Sequence, residues 1–269
     1  MYNNYLVHHG IKGQKWGVRR FQDKKGRLTK EGELRYAEES NKKIKDNSDG
    51  SKTIPAGFVF NRVGKNSMDI NESGALYVSY GKDDAVIYIK RLGPTPLAKL
   101  LGTAGESVQH ITVKESLKVP SNNEVAKETA HAMLSNKKVF DRFNRSIYSM
   151  TLTDDLNGKV SKEDIQKVLK DPSSRNSQKF AYAVNSFFGD PNYAKETSTI
   201  YEHFRSKGYD AIPDLHDILS GTSKTATIII NPSKVEVTST TTITKDVMKS
   251  GKNYAKTLEK LKVSDLIKD

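Results

Sequence analysis

Apolar and polar positions alternate with a period of two at both ends of the chain and repeat near 3.6 through its middle. Phe58-Val59-Phe60-Asn61-Arg62-Val63 alternates after Ile54-Pro55-Ala56-Gly57, and Gly64 closes it, so a strand is predicted there. Residues 74–81, GALYVSYG, read as a second strand. Asp83-Asp84 then suits the positive N-terminal end of a helix running to Ile89 or Arg91. The stretch VQHITVKESLKV at 108–119 reads as a third strand ended by Pro120-Ser121. Gly102 to Gly105 is taken as a turn. From Glu124 to about Tyr148 apolar residues recur on one helical face, including Val125, Met133, Phe140 and Phe143. Ser161 with Asp164 resembles a capping box opening a helix at Ile165–Leu169, and Asp171-Pro172 ends it. Helices over 179–188 and 194–207 follow, parted by Gly189-Asp190-Pro191. The chain then reaches Gly208-Tyr209-Asp210, an acidic loop, and a β-branched run at Thr225–Ile230 short enough for a buried strand. Asn231-Pro232 stops the ladder, because proline has no amide hydrogen to donate, and Val235-Glu236-Val237 resumes it. An amphipathic helix is predicted over 245–268. No internal repeat is visible.

Strands, then helices, then strands again argue for an α+β fold with a mostly antiparallel or split sheet, a helical middle section and a C-terminal helix. The organisation read from the sequence is a basic segment and linker at 1–52, with 37–52 a short helix trailing off. A folded domain at 53–240 and the amphipathic helix at 241–269 follow.

Composition narrows the chemistry. The 269 residues contain no cysteine, which removes disulfides and thiolate metal sites, and the six histidines show no paired spacing for a metal. No apolar run approaches the roughly 20 residues that span a bilayer, and no signal-peptide core stands at the start, so no membrane partner is expected. There is no GxGxxG after a strand and no GxxxxGKS, which argues against Rossmann and P-loop nucleotide binding. The net charge of +12 is concentrated: residues 1–30 hold eight lysines and arginines against the single Asp23. Around them lie Trp16, flanked by Gly13 and Gly17, and the aromatics Tyr2, Tyr5 and Phe21. Flexible glycines beside an aromatic let the ring lie flat on a surface while the cations hold phosphate or carboxylate groups, so this reads as a docking peptide. The plainer alternatives are a solvated basic arm and a tail whose Trp16 folds back on the domain.

The string HHGIKGQKWGVRRFQ at 8–22, followed by Gly26-Arg27-Leu28-Thr29 and Gly32–Tyr36, is similar to a short segment of structural and head-associated proteins of phages of Gram-positive bacteria. The resemblance implies a phage or prophage origin and attachment of residues 1–36 to capsid or portal proteins. It places the chain in the virion or the host cytoplasm, and carries no chemistry.

A second resemblance spans roughly 53–240 and lies in the order of segments. A strand ending in Arg62-Val63-Gly64 is followed by one ending in Tyr77-Val78-Ser79-Tyr80, then an Asp-rich helix start and a helical part. The late Gly-Tyr-Asp-Ala-Ile, acidic loop and Ile-Ile-Ile-Asn-Pro strand completes it. This order resembles the mono-ADP-ribosyltransferase fold, in which an arginine, a serine and a glutamate on successive strands surround NAD. The resemblance implies NAD as substrate, no metal, and a host protein or nucleic acid as acceptor. Arg62 would hold the phosphate or ribose, Ser79 would steady the site, and Tyr77 and Tyr80 would stack on nicotinamide.

The position of the family's glutamate, just before the late strand, falls on Thr225 or Ala226. Either Asp217, with Asp214 beside it, reaches in from the loop as the catalytic carboxylate, or the domain binds without transferring. A non-catalytic phage structural or head-associated protein docking through its basic N-terminal segment is a second class of function, and an inhibitor that binds a nucleotide or a host defence factor is a third. The plainer readings are a surface ion pair for Arg62, an edge-strand position for Ser79, helix capping for Asp214 and Asp217, and solvation for His216.

Overall fold

The computed structural model describes residues 44–64, 68, 70–81, 84, 87–89, 105–152 and 159–243. The expected docking segment, the helix expected at its end up to residue 43, Asp83, most of the turn at 102–105 and the C-terminal helix over 245–268 lie outside them.

The strands are β1 (Lys45–Asp46), β2 (Lys52–Ile54), β3 (Val59–Gly64), β4 (Leu76–Val78), β5 (Ser107–Val113), β6 (Leu117–Val119), β7 (Ala211–Pro213), β8 (Thr227–Ile229) and β9 (Val235–Thr242). They form three small sheets, ordered β1-β2-β6, β3-β5-β9 and β4-β8-β7, and every pairing is antiparallel. The fold is therefore mixed, helices plus antiparallel strands, in agreement with the α+β expectation. The sheets are stitched edge to edge. Asn61 and Ser79 exchange backbone hydrogen bonds of 2.6 and 2.9 Å, joining β3 to the end of β4. The Lys118 carbonyl accepts from the Asp210 amide at 2.9 Å, joining β6 to the segment before β7.

The helices are α1 (Asn122–Ser135), α2 (Lys137–Asn144), α3 (Lys162–Lys170), α4 (Arg175–Phe188), α5 (Ala194–Ser206) and α6 (Leu215–Leu219). Ser121, Ser161 and Ser174 cap α1, α3 and α4, each accepting a backbone N–H with its side-chain oxygen, and Ser161 with Asp164 forms the capping box read in the sequence.

The central strand β8 explains why three isoleucines run together. Ile228 and Ile230 pack on a core built by the helices, with Phe143, Phe180, Phe187, Tyr201 and Phe204. Ile229 points the other way, into a second core with Phe58, Phe60, Leu76, Val78 and Ile111. Both faces of the strand are covered, so the run is apolar at successive positions instead of alternating.

Four expectations are corrected. Lys45–Asp46 is a strand paired with β2, not linker, so the ordered sheet starts before Thr53. The Asn47 amide, bonded to Ser51 Oγ (2.9 Å) and Thr53 Oγ1 (3.1 Å), ties that hairpin. The stretch 108–119 is not one strand: the amides of Lys114 and Glu115 turn onto the Lys234 carbonyl, and β6 leaves for a different sheet. The helix expected from Glu124 to Tyr148 breaks at Asn136, whose extended backbone ends α1 while its side chain accepts from the amides of Lys138 and Val139 to start α2. The last strand, expected over Val235-Glu236-Val237, continues through Thr242.

Candidate functional site

Where the β3–β4 junction meets the helical layer, the chain leaves a cavity of about 620 Å³. That is inside the range of roughly 300–1,000 Å³ that drug-sized and nucleotide-sized ligands occupy. Its walls include Arg62, Tyr77, Ser79, Asp214 and Asp217, which the sequence reading places far apart in the chain, together with Asn61, Tyr88, Tyr148, Asn185 and His216.

Each wall residue is positioned by its element. On the β4 segment, Tyr77 and Ser79 share one side by the two-residue period and line the cavity. Tyr80 lies on the opposite side and is not part of this site. Its ring packs edge-on to Phe58 at 5.3 Å and to Phe60 at 6.0 Å, and it lines a separate cavity of about 420 Å³. Strand alternation thus turns Tyr80 away from the cavity that Arg62, Tyr77 and Ser79 line. Arg62 is steadied from the neighbouring strand: its Nη1 donates to Gln109 Oε1 at 3.1 Å, and Gln109 is its register partner on β5. A Cβ at Gly64 would stand 2.9 Å from Arg62 Nη1, so glycine leaves the guanidinium its room.

The acidic side comes from α6. Asp214 caps this short helix, its Oδ1 accepting from the Asp217 amide at 3.3 Å, so the capping reading holds. Capping does not remove it from the cavity wall. Burial, and after it the negative charge of Asp217, pushes the Asp214 carboxyl up to about 6. Asp217 is itself buried and bonded on both oxygens, accepting from the Tyr88 hydroxyl at 2.5 Å through Oδ2 and meeting His216 Nδ1 at 3.3 Å through Oδ1. Burial raises the phenols of Tyr88 and Tyr77 well above the usual tyrosine range, and the carboxylates of Asp214 and Asp217 add to it. Both phenols therefore stay protonated, and Tyr88 donates to Asp217. Tyr77 Oη also lies 3.4 Å from the hydroxyl of the fully buried Tyr201.

His216 is not merely solvated as expected: its ring stacks on Tyr182 with centroids 5.1 Å apart and planes 27° from parallel. Two polar groups at the wall have no partner. Ser79 Oγ and Asn185 Nδ2 are enclosed and unbonded, although Asn185 Oδ1 accepts from the Leu215 amide at 3.0 Å. An enclosed donor or acceptor without a partner costs about 1–3 kcal/mol, which makes these two places where a bound molecule would restore a hydrogen bond.

Tyr88 and Asn185 were not picked out as site residues from the sequence, and His216, on the same loop as Asp214 and Asp217, was weighed there as solvated. The signal for Asn185 was present, since it stands on the apolar stripe of α4 beside Ala181 and Phe188. For Tyr88 the signal was absent, because its partner Asp217 is far away in the chain.

The loop between α6 and β8 is clasped to β4. Asp84 accepts from Ser223 Oγ at 2.5 Å and from Thr225 Oγ1, and Thr225 Oγ1 accepts from the amides of Tyr80 (3.1 Å) and Gly81 (2.7 Å). Thr225 is thus spent on the clasp and Ala226 is buried, so the place before β8 offers the cavity no carboxylate. Among the described residues no group of three or more His, Asp or Glu could hold a metal ion, and no helix is long and apolar enough to cross a membrane.

Compared with known proteins, residues 1–23 match the model of a family of unknown function (DUF7211). No curated protein and no solved structure matches the chain.

Proposed function

We propose that the cavity binds NAD and that the domain is an ADP-ribosyltransferase-like enzyme, transferring ADP-ribose to a protein or nucleic-acid acceptor of a host cell. The carrying observation is convergence: Arg62 and Tyr77 from the β3–β4 junction and Asp214 and Asp217 from α6 line one nucleotide-sized hollow. The split antiparallel sheets with the cavity at their seam support the same reading.

In this reading the Arg62 guanidinium holds phosphate oxygens, for which its fixed fork and permanent charge are suited. Ser79 Oγ and Asn185 Nδ2, which have no partner within the protein, supply hydrogen bonds to NAD. As the bond from C1′ of the ribose to the nicotinamide nitrogen breaks, the electron pair leaves with nicotinamide and positive charge develops on the sugar. Asp217, fixed by Tyr88, is the carboxylate that faces that charge. Asp214 is the poorer candidate for this task, because burial favours its neutral form. A second reading, binding without transfer, is favoured by the absence of a carboxylate at Thr225 and Ala226.

Calorimetry and nicotinamide release separate the two. Heat on mixing with NAD, with free nicotinamide and labelled product from a bacterial lysate, supports transfer; heat alone supports binding. Arg62→Gln is expected to weaken NAD roughly 10- to 100-fold, the worth of one charge-assisted contact. Neither heat nor nicotinamide from wild type overturns both readings.

The basic segment fits a separate task. We propose that residues 1–36, which contain the family match over 1–23 and a net charge of +6 (nine lysines and arginines against Asp23, Glu31 and Glu33), dock the chain on an acidic surface of a phage particle, so that the domain travels with the virion into the host.

A further inference from the structure

We infer that His216 is the general base that activates the acceptor, and that the acceptor group is a hydroxyl. This rests on the reading of the cavity as an NAD site.

His216 Nδ1 faces Asp217 Oδ1 at 3.3 Å. With Nδ1 carrying the proton and donating it to that carboxylate, Nε2 is the basic nitrogen. Among the described residues no hydrogen bond or ion pair engages Nε2; the side chain is 34% exposed, and the residue lines the cavity. The ring cannot swing freely, since it stacks on Tyr182. The same carboxylate is held on its other oxygen by Tyr88. An imidazole fixed by a carboxylate at one nitrogen and open to a cavity at the other is the arrangement that takes a proton from a weakly acidic group and tolerates the charge that results.

The step balances. The acceptor O–H gives its proton to His216 Nε2 while its oxygen forms the new bond to C1′. The bond from C1′ to the pyridinium nitrogen breaks, and its pair neutralises nicotinamide. The imidazolium lies beside Asp217 and returns its proton to solvent through its exposed edge. A hydroxyl needs such a base, whereas a guanidinium acceptor would bring its own positive charge toward an imidazole about to become cationic. The chemistry therefore favours serine, threonine or ribose hydroxyls.

The test uses the full chain, NAD, and methanol as the hydroxyl acceptor, with ADP-ribose and its methyl glycoside resolved by chromatography. His216→Ala sits in a helix that tolerates alanine and opens space beside the cavity. Its NAD affinity by calorimetry is expected to stay within about threefold of wild type, while product formation falls by a factor of about 10² to 10⁴. Free imidazole in the buffer is expected to restore part of the rate, which a structural role for the ring would not allow. Turnover unchanged in the variant, or lost without imidazole rescue while NAD still binds, overturns the assignment. Wild type that binds NAD but releases no nicotinamide also overturns it and leaves the binding reading standing. Wild type without NAD binding overturns the cavity reading and the assignment together.

Discussion

At the scale of single residues, the most exposed consequence of the geometry is the ionisation of Asp214. Its carboxyl is raised from 3.8 to about 6 by burial and by the charge of Asp217. The unfolded chain therefore ionises this group more readily than the folded one, and ionisation disfavours the fold. The cost is fully present above about pH 6 and is gone below about pH 4, so this group alone makes the protein more stable as the solution is acidified across that window. Asp214→Asn keeps an amide oxygen for the helix cap and removes the charge. The variant is expected to be more stable than wild type by about 1–3 kcal/mol at pH 8 and equal to it at pH 4, by urea unfolding at both values. Equal effects at the two pH values would show that the charge is not what matters there. Arg62, Tyr77, Ser79, Asp214 and Asp217 line one cavity; the strand or loop character of their segments is written locally, but that these segments meet was expected only from the resemblance in their order. Tyr80 was misplaced although alternation from Tyr77 would have put it on the far face. Tyr88 and Asn185 were missed because their meaning lies in partners that local pattern cannot supply.

At the scale of elements, the acidic loop keeps its place through the clasp on Asp84, and that clasp depends on the absence of a side chain. A Cβ at Gly81 would lie 2.7 Å from Asp84 Oδ2, and that oxygen is pinned by Ser223 and Thr225. It cannot yield without giving up both hydroxyls. Gly81→Ala is therefore expected to cost roughly 1–3 kcal/mol of stability, the range for breaking a buried hydrogen-bonded group. The loss should be local as well as global. The amides of residues 80 and 81, which donate to Thr225 Oγ1, should lose hydrogen-exchange protection before the β3–β5 ladder does. Full protection at those amides in the variant would count against the clasp. Elements with end signals were readable in advance: Ser161 with Asp164, Gly189-Asp190-Pro191 and Asn231-Pro232 all fall where an element starts or stops. Interruptions without Gly or Pro were not. Asn136 ends one helix and caps the next, a double role that an unbroken apolar stripe conceals, and the turn at Lys114–Glu115 is held by Lys234 from a distant part of the chain.

At the scale of the whole molecule, the division into small sheets was only partly legible, because which strand pairs with which is decided by contacts between distant residues. The sequence shows six residues of alternation at Phe58–Val63, but not that the partner on one side is β5 along the full strand and on the other only a single bridge to Ser79. What the arrangement does make plain is where the stability resides. Among the described residues, the buried residues of the apolar cores lie between Ile54 and Ile243, Ile44 packs against the second core, and the first strand opens at Lys45. The cavity wall likewise begins at Asn61. If residues 1–36 serve only to dock, their deletion removes no contact that the cores or the cavity use. The shortened chain is expected to unfold within about 2 °C of the full one and to bind NAD with the same affinity, since a melting shift of several degrees would correspond to about 1 kcal/mol or more of lost packing. It is expected also to lose co-sedimentation with the phage particle, and added salt should mimic that loss in the full chain, because contacts made by exposed lysines and arginines are screened by ions. A fall in melting temperature of more than about 5 °C would instead mean that Trp16 and its neighbours fold back onto the domain, and the segment's charge would then belong to the fold and not to a partner.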